Sequence, residues 1–169
     1  MQLRSKAKSI TQAAVLCALA LVLSLIDSAV SAALPFVPGI KLGLAGGVTL
    51  YVLYALDAKT AFWIVLARCL LTALLSGAVT MLLFSIAGGM ASLGVMILAK
   101  KGLSVIKTSV LGGVSHNIAQ VAVACLITQT PGVAWYLPVL VIAGTLSGFA
   151  MGVLAGFVLR RMKRSGYAE

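Results

Sequence analysis

Residues 105–128 read VIKTSVLGGVSHNIAQVAVACLIT. A helix of that length reaches about 36 Å, more than the roughly 30 Å hydrocarbon core of a bilayer. Its one charged residue, Lys107, sits near the start. Helical spacing puts Ser109, Gly112, Gly113, His116 and Gln120 along one face, with Asn117 beside them. An imidazole and two carboxamides in adjacent turns can donate and accept several hydrogen bonds. In lipid such groups turn toward a protein interior or a water-filled cavity. The segment therefore reads as a transmembrane helix with a polar wall, and other segments must supply the facing walls.

The rest of the chain has the same character. Of 169 residues, 62% are hydrophobic and 9% charged, where a soluble domain carries about 25% charge. The expected class is all-α integral membrane. Net charge is +10, from 13 Lys and Arg against Asp27, Asp57 and Glu169. A nucleic-acid binder would gather its cations along one basic stripe. Here they punctuate apolar runs, which is a topology and lipid-contact pattern, so no nucleic-acid partner is expected.

Six spans follow, at 10–30, 42–56, 60–76, 79–99, 105–128 and 135–159, with residues 1–169 as a single membrane domain. The basic, apolar, small-residue order of the N-terminus also fits a cleaved secretory signal. Its apolar run exceeds the core of such a signal, and a retained first helix is expected. With the N-terminus in the cytoplasm, Arg4, Lys6, Lys8, Lys59, Lys100, Lys101, Lys107, Arg160, Arg161, Lys163 and Arg164 fall inside, and only Lys41 outside. The positive-inside rule thus favours six helices in one bundle with both termini cytoplasmic. Trp63, Trp135, Tyr136 and Tyr167 fall near the expected interfaces.

Arg68 lies inside the third span, where an Arg costs about 2.5–3.5 kcal/mol on insertion scales. Two readings stand: an ion pair with Asp27, or a forked contact to an anionic ligand. Lys41, just after the helix breakers Pro35, Pro38 and Gly39, adds charge at the outer mouth or snorkels from its loop. In the fourth span Ser85, Gly88, Gly89 and Ser92 form a small, mildly polar face that packs or lines a cavity. In the sixth, Gly144, Gly148, Gly152 and Gly156 form a close-approach seam, for a helix of this chain or of a partner. Ala14 and Ala18 make a weaker small step on the first span.

Several chemistries have no residues to carry them. Prenyl diphosphate enzymes hold Mg²⁺ with clustered carboxylates, and this chain has no paired acids. No nucleophile accompanies Asp27 and His116, and no phosphate-binding Gly-x-x-x-x-Gly-Lys is present. Cys17, Cys69 and Cys125 lie in separate apolar runs and read as packing residues, not a metal site. Neither catalysis nor a cofactor is expected.

The chain resembles the Gx transporter family, also described as heptaprenyl diphosphate synthase component I. The resemblance is carried by 38–45 (PGIKLGLA), the Arg68 helix ending at Gly77, 84–89 (FSIAGG), 109–120 (SVLGGVSHNIAQ), and 136–140 (YLPVL) followed by Gly144 and Gly148. This chain departs from the family pattern at Gly46, where Asn is usual, and at Asp27, where relatives often have Glu; its stretch before Pro38 is also longer. That family is similar to the substrate-binding S components of energy-coupling factor transporters. The similarity implies an S-component-like bundle in a bacterial cytoplasmic membrane. It implies Ser31–Lys41 as a gate loop and Ala14 and Ala18 as contacts to a coupling transmembrane subunit, with ATPase subunits acting in trans.

The expected function is therefore a substrate-binding subunit of an energy-coupling-factor-like importer. Its ligand would be a small anionic molecule, vitamin-, flavin- or isoprenoid and quinone-precursor-like. The candidate ligand contacts are Lys41, Arg68, Ser85, His116, Asn117 and Gln120. The alternative is a non-catalytic membrane subunit of heptaprenyl diphosphate synthase, serving menaquinone side-chain synthesis. A third reading is a purely structural subunit of a quinone-related complex.

Overall fold

The computed structural model describes the backbone of residues 2–33, 43–77 and 79–164, and the side chains of 10–30, 43–77 and 81–164. The described residues form six α-helices: α1 (Gln2–Ala33), α2 (Leu44–Ala55), α3 (Ala58–Ser76), α4 (Val79–Ala99), α5 (Val105–Thr128) and α6 (Leu137–Arg164). A 3₁₀ turn, Pro131–Tyr136, precedes α6. All but α2 are long and apolar enough to cross a membrane. Side chains such as Ile10, Val15, Leu74, Leu126, Leu146 and Phe157 point outward, where lipid rather than water is their solvent. The chain is a multi-pass helical membrane protein.

Local sequence sets the helix ends. Gly43 precedes α2 in the left-handed region at φ 71°, which a residue without Cβ adopts freely. Asp57 caps α3: its Oδ1 accepts the Thr60 amide at 2.8 Å and its Oδ2 accepts the Thr60 hydroxyl at 2.8 Å. These bonds hold the Asp57 carboxyl below its ordinary value, the Thr60 amide contributing most. Gly77, at φ 67°, ends α3. The sixth helix begins at Leu137, two residues after the expected start of its span, because Pro131 opens a 3₁₀ turn instead. Pro138 then falls in the first turn of α6, where its missing N–H costs nothing.

The Asp57 cap gives a direct test. Asp57→Ala should lower stability by about 1 kcal/mol, read as a lower unfolding temperature in detergent at neutral pH. Because folding lowers this carboxyl's pKa, its contribution is complete above the unfolded value of about 3.9 and is lost as pH falls through the lower folded value. The gap between parent and variant should close on that acid limb.

The helices are arranged around α2. It packs against α1, α3, α4, α5 and α6, whereas α1 touches only α2 and α3 among the described elements. Twelve residues of helix reach about 18 Å, less than the hydrocarbon core of a bilayer, and the other five helices enclose α2. Its burial is correspondingly all-round: Ala45, Gly47, Val48, Thr49, Leu50, Val52 and Leu53 are buried. A helix apolar on every side is one with no solvent face. Its C-terminal half joins Ala61, Ile64, Val65, Leu93 and Met96 in the core. At its last turn Lys100 Nζ donates to the Leu53 carbonyl at 2.7 Å, and lies 5.1 Å from the Tyr54 ring centre. A cation there also complements the negative end of the helix dipole.

The tightest seam joins α5 and α6. A Cβ built on Gly113 would overlap the Gly144 carbonyl, one on Gly148 would lie 2.8 Å from the Ser109 oxygen and the Val110 Cα, and one on Gly152 would lie 2.9 Å from the Ile106 Cα. Backbone meets backbone along this line. The seam is therefore internal at Gly144, Gly148 and Gly152, while Gly156 faces open space. Asn117 fastens its end, donating from Nδ2 to the Leu140 carbonyl at 2.6 Å.

Candidate functional site

A cavity of about 830 Å³, counting its open side, lies above the N-terminal end of α2 and is walled by all six helices. The first helix contributes Ser24, Asp27 and Ser28, three polar residues at i, i+3 and i+4 in the otherwise apolar stretch 13–30. From α3 come Arg68 and Thr72, again one turn apart. Ser85, Gly89 and Ser92 form the α4 wall. The fifth helix presents Ser109, Gly112, Gly113, His116 and Asn117. The remaining sides are Ser147, Gly148 and Met151 of α6 with Gly43, Ala45, Gly46 and Thr49 of α2.

Arg68 is the buried cation of this space, 9% exposed. Its Nη1 donates to Ser24 Oγ at 2.8 Å, so α3 reaches across to α1. The flat guanidinium also runs along Gly89: a Cβ there would meet Val65 at 2.8 Å and Arg68 Nη2 at 3.4 Å. Two buried polar atoms of α3, Arg68 Nε and Thr72 Oγ1, have no hydrogen-bond partner among the described residues. Asp27, 4% exposed, is in the same wall. The hydrogen bond that fixes Arg68 goes to a neutral hydroxyl.

Many other hydroxyls are satisfied within their own helices. Ser28 Oγ donates to the Ser24 carbonyl at 2.9 Å and Thr49 Oγ1 to the Ala45 carbonyl at 3.2 Å. Such bonds let small polar residues sit in an apolar setting at little cost, while leaving oxygen lone pairs available to a ligand. The His116 ring is half-buried against Gly88, where a Cβ would come within 2.7 Å of Cε1. Gly88 therefore provides the room that the imidazole occupies.

Of the sequence candidates, Arg68, Ser85, His116 and Asn117 meet around one space. Gln120 is buried at 7% exposure but is not part of the lining, being one turn beyond His116 along α5. Asn117 serves α6 as well as the cavity, through its bond to Leu140. Lys41, Pro35, Pro38 and Gly39 lie outside the described residues. Ala14 and Ala18 are exposed on the outward side of α1. Not singled out beforehand were Ser24, Ser28 and Thr72. The i, i+4 spacing of Arg68 and Thr72 was a usable signal, as was the polar triplet ending α1.

A family model described as heptaprenyl diphosphate synthase component I matches residues 16–158, which takes in every described cavity residue. No curated protein matches, and no solved structure does.

Proposed function

The chain belongs to the heptaprenyl diphosphate synthase component I family, and we propose that it is the membrane-embedded binding subunit through which a small anionic molecule is captured, within an energy-coupling-factor-like importer of a bacterial cytoplasmic membrane. The observation that carries this reading is a cavity walled by all six helices, with a buried Arg68 in its wall. Intramembrane ionisable residues mark ligand or ion sites by default. A bundle whose role was scaffolding alone would fill this space with apolar side chains.

Transport would need energy from elsewhere, since no nucleotide-binding motif is present in the sequence. A coupling transmembrane subunit and ATPase subunits in trans would supply it. Ala14 and Ala18 offer the small, outward step such a coupling subunit could pack on. The unbroken α5–α6 seam favours reorientation of the bundle as one body over sliding between its helices.

The family description favours a second reading, a non-catalytic membrane subunit partnered with a prenyl diphosphate synthase. Catalysis would then fall to the partner, because Asp27, Asp57 and Glu169 are too dispersed to hold Mg²⁺ together. Native mass spectrometry of the protein extracted gently from its own membranes separates the two. Co-purifying ATPase and coupling subunits, or a bound small molecule, are the expected result. A soluble prenyltransferase-like chain with no small molecule would replace capture by the synthase-subunit reading.

A further inference from the structure

We infer that the N-terminal turn of α2, with Arg68 and Thr72, forms a subsite for a single carboxylate, and that Gly46 keeps this subsite open. The inference rests on the capture reading above and names the chemical class of the captured molecule.

Three sets of donors converge on the cavity. The first N–H groups of any α-helix lack intrahelical acceptors. At α2 the Gly46 amide donates to the Gly43 carbonyl at 2.9 Å, and among the described residues no side chain caps the others: Gly43 is the cap residue, and Gly43, Ala45 and Gly46 themselves form cavity wall. The positive end of the helix dipole thus faces the void. Arg68 is the second donor. With Nη1 bonded to Ser24, its Nε and Nη2 edge remains, the edge that presents two parallel N–H groups, and Nε has no partner among the described residues. Thr72 is the third; its hydroxyl is likewise buried, with 9% of the residue exposed, and without a hydrogen-bond partner. Donors left unmatched in a low-dielectric interior are costly, and an acceptor-rich ligand removes that cost.

The charge of the wall selects among anions. Among the described lining residues the formal charges are Arg68 and Asp27, of opposite sign, with His116 as the further titratable side chain. A planar monoanion matches the guanidinium fork in shape and charge. A diphosphate would bring several negative charges into a space holding, among the described residues, one guanidinium and one carboxylate and no acidic cluster to gather a divalent cation. The chemistry therefore points to a carboxylate and away from a prenyl diphosphate.

Gly46 locates the bound group. It lines the cavity, its φ is negative, and among the described residues no atom lies within 4 Å of where its Cβ would be. Neither backbone strain nor packing requires glycine at this helical position, where alanine is intrinsically preferred. The space over Gly46 is the space a ligand would use.

The test measures thermal unfolding of the full chain in detergent with three probes: benzoate, benzamide and pyrophosphate. Benzoate is expected to raise the midpoint, and benzamide, of similar shape but uncharged, to leave it unmoved, as is pyrophosphate. Gly46→Ala should raise the midpoint of the ligand-free protein and weaken benzoate at least about tenfold, a pairing of signs that a folding defect cannot produce. Arg68→Lys, which keeps the charge but not the fork, should also weaken it. Equal stabilisation by benzamide, or stronger stabilisation by pyrophosphate, overturns the carboxylate assignment. Unchanged benzoate binding in Gly46→Ala overturns its location. If benzoate has no effect while the extracted protein carries a small molecule, the subsite falls and capture stands. If the extracted protein also carries none, both fall.

Discussion

Gly148→Val should cost the bundle about 3 kcal/mol or more and leave little folded protein in detergent. A Cβ at this position meets the Ser109 oxygen and the Val110 Cα, both at 2.8 Å. Neither belongs to a side chain that can swing away, so α5 and α6 would have to separate. Helices in lipid gain no hydrophobic driving force from association and depend on close packing. Separating this seam by even an ångström loses dispersion contacts along its length and strains the Asn117 bond to Leu140. Gly156→Val is the matched control: nothing lies within 4 Å of its Cβ position, and its unfolding temperature should stay close to the parent's. Size-exclusion profiles and thermal unfolding of the two variants provide the comparison. Equal behaviour would mean that the seam does not hold the bundle together.

Arg68→Leu should separate binding from folding. Truncating one member of a buried, hydrogen-bonded charge contact costs a complex about 2–5 kcal/mol, or roughly 30- to several-thousand-fold in affinity. The fold itself should respond less, by about 1.5–3 kcal/mol, the net worth of a hydrogen bond to a charged group such as the one Arg68 gives Ser24. Ser24 loses its donor in this variant, but its hydroxyl can turn to a carbonyl of its own helix, as Ser28 does. Ser24→Ala is the companion experiment. If Arg68 were chiefly a brace between α3 and α1, Ser24→Ala would reproduce much of its instability. If Arg68 serves the ligand, Ser24→Ala should keep most of the affinity. The readouts are retention of the endogenous small molecule in native mass spectrometry and the unfolding midpoint of each variant.

Lipid explains why so much was legible in the sequence. In a chain with 9% charged residues, each intramembrane polar group stands out. Arg68, His116 and Asn117 therefore pointed to an interior before any coordinates, and the cations between apolar runs gave six helices. Other features left weaker traces. The centrality of α2 is silent because a helix apolar on all sides shows no preferred face. Ser24, Ser28 and Thr72 carry hydroxyls that can bond to their own helix, so they are tolerated in lipid and do not announce a cavity. Gly144, Gly148, Gly152 and Gly156 look equivalent by spacing, yet only the first three meet backbone. The difference lies in how far α5 runs alongside α6, a crossing geometry that spacing does not encode. Gln120 shows the same limit, sharing a helix face with His116 but lying beyond the cavity wall.

The placement of α2 has a consequence for biogenesis. This helix leaves the ribosome before four of the five helices that enclose it, α3 to α6. Until α4, α5 and α6 arrive, it must wait beside α1 and α3, with Arg68 on the side that will become the cavity. The hairpin of α5 and α6, made after the other four helices, both closes the glycine seam and covers α2. Membrane insertion and tertiary closure are thus separate events, and the second cannot be completed until α6 has been made. Nascent chains halted before Leu137 should persist as inserted but open species, exposing unsatisfied polar groups that membrane quality-control proteases can grip.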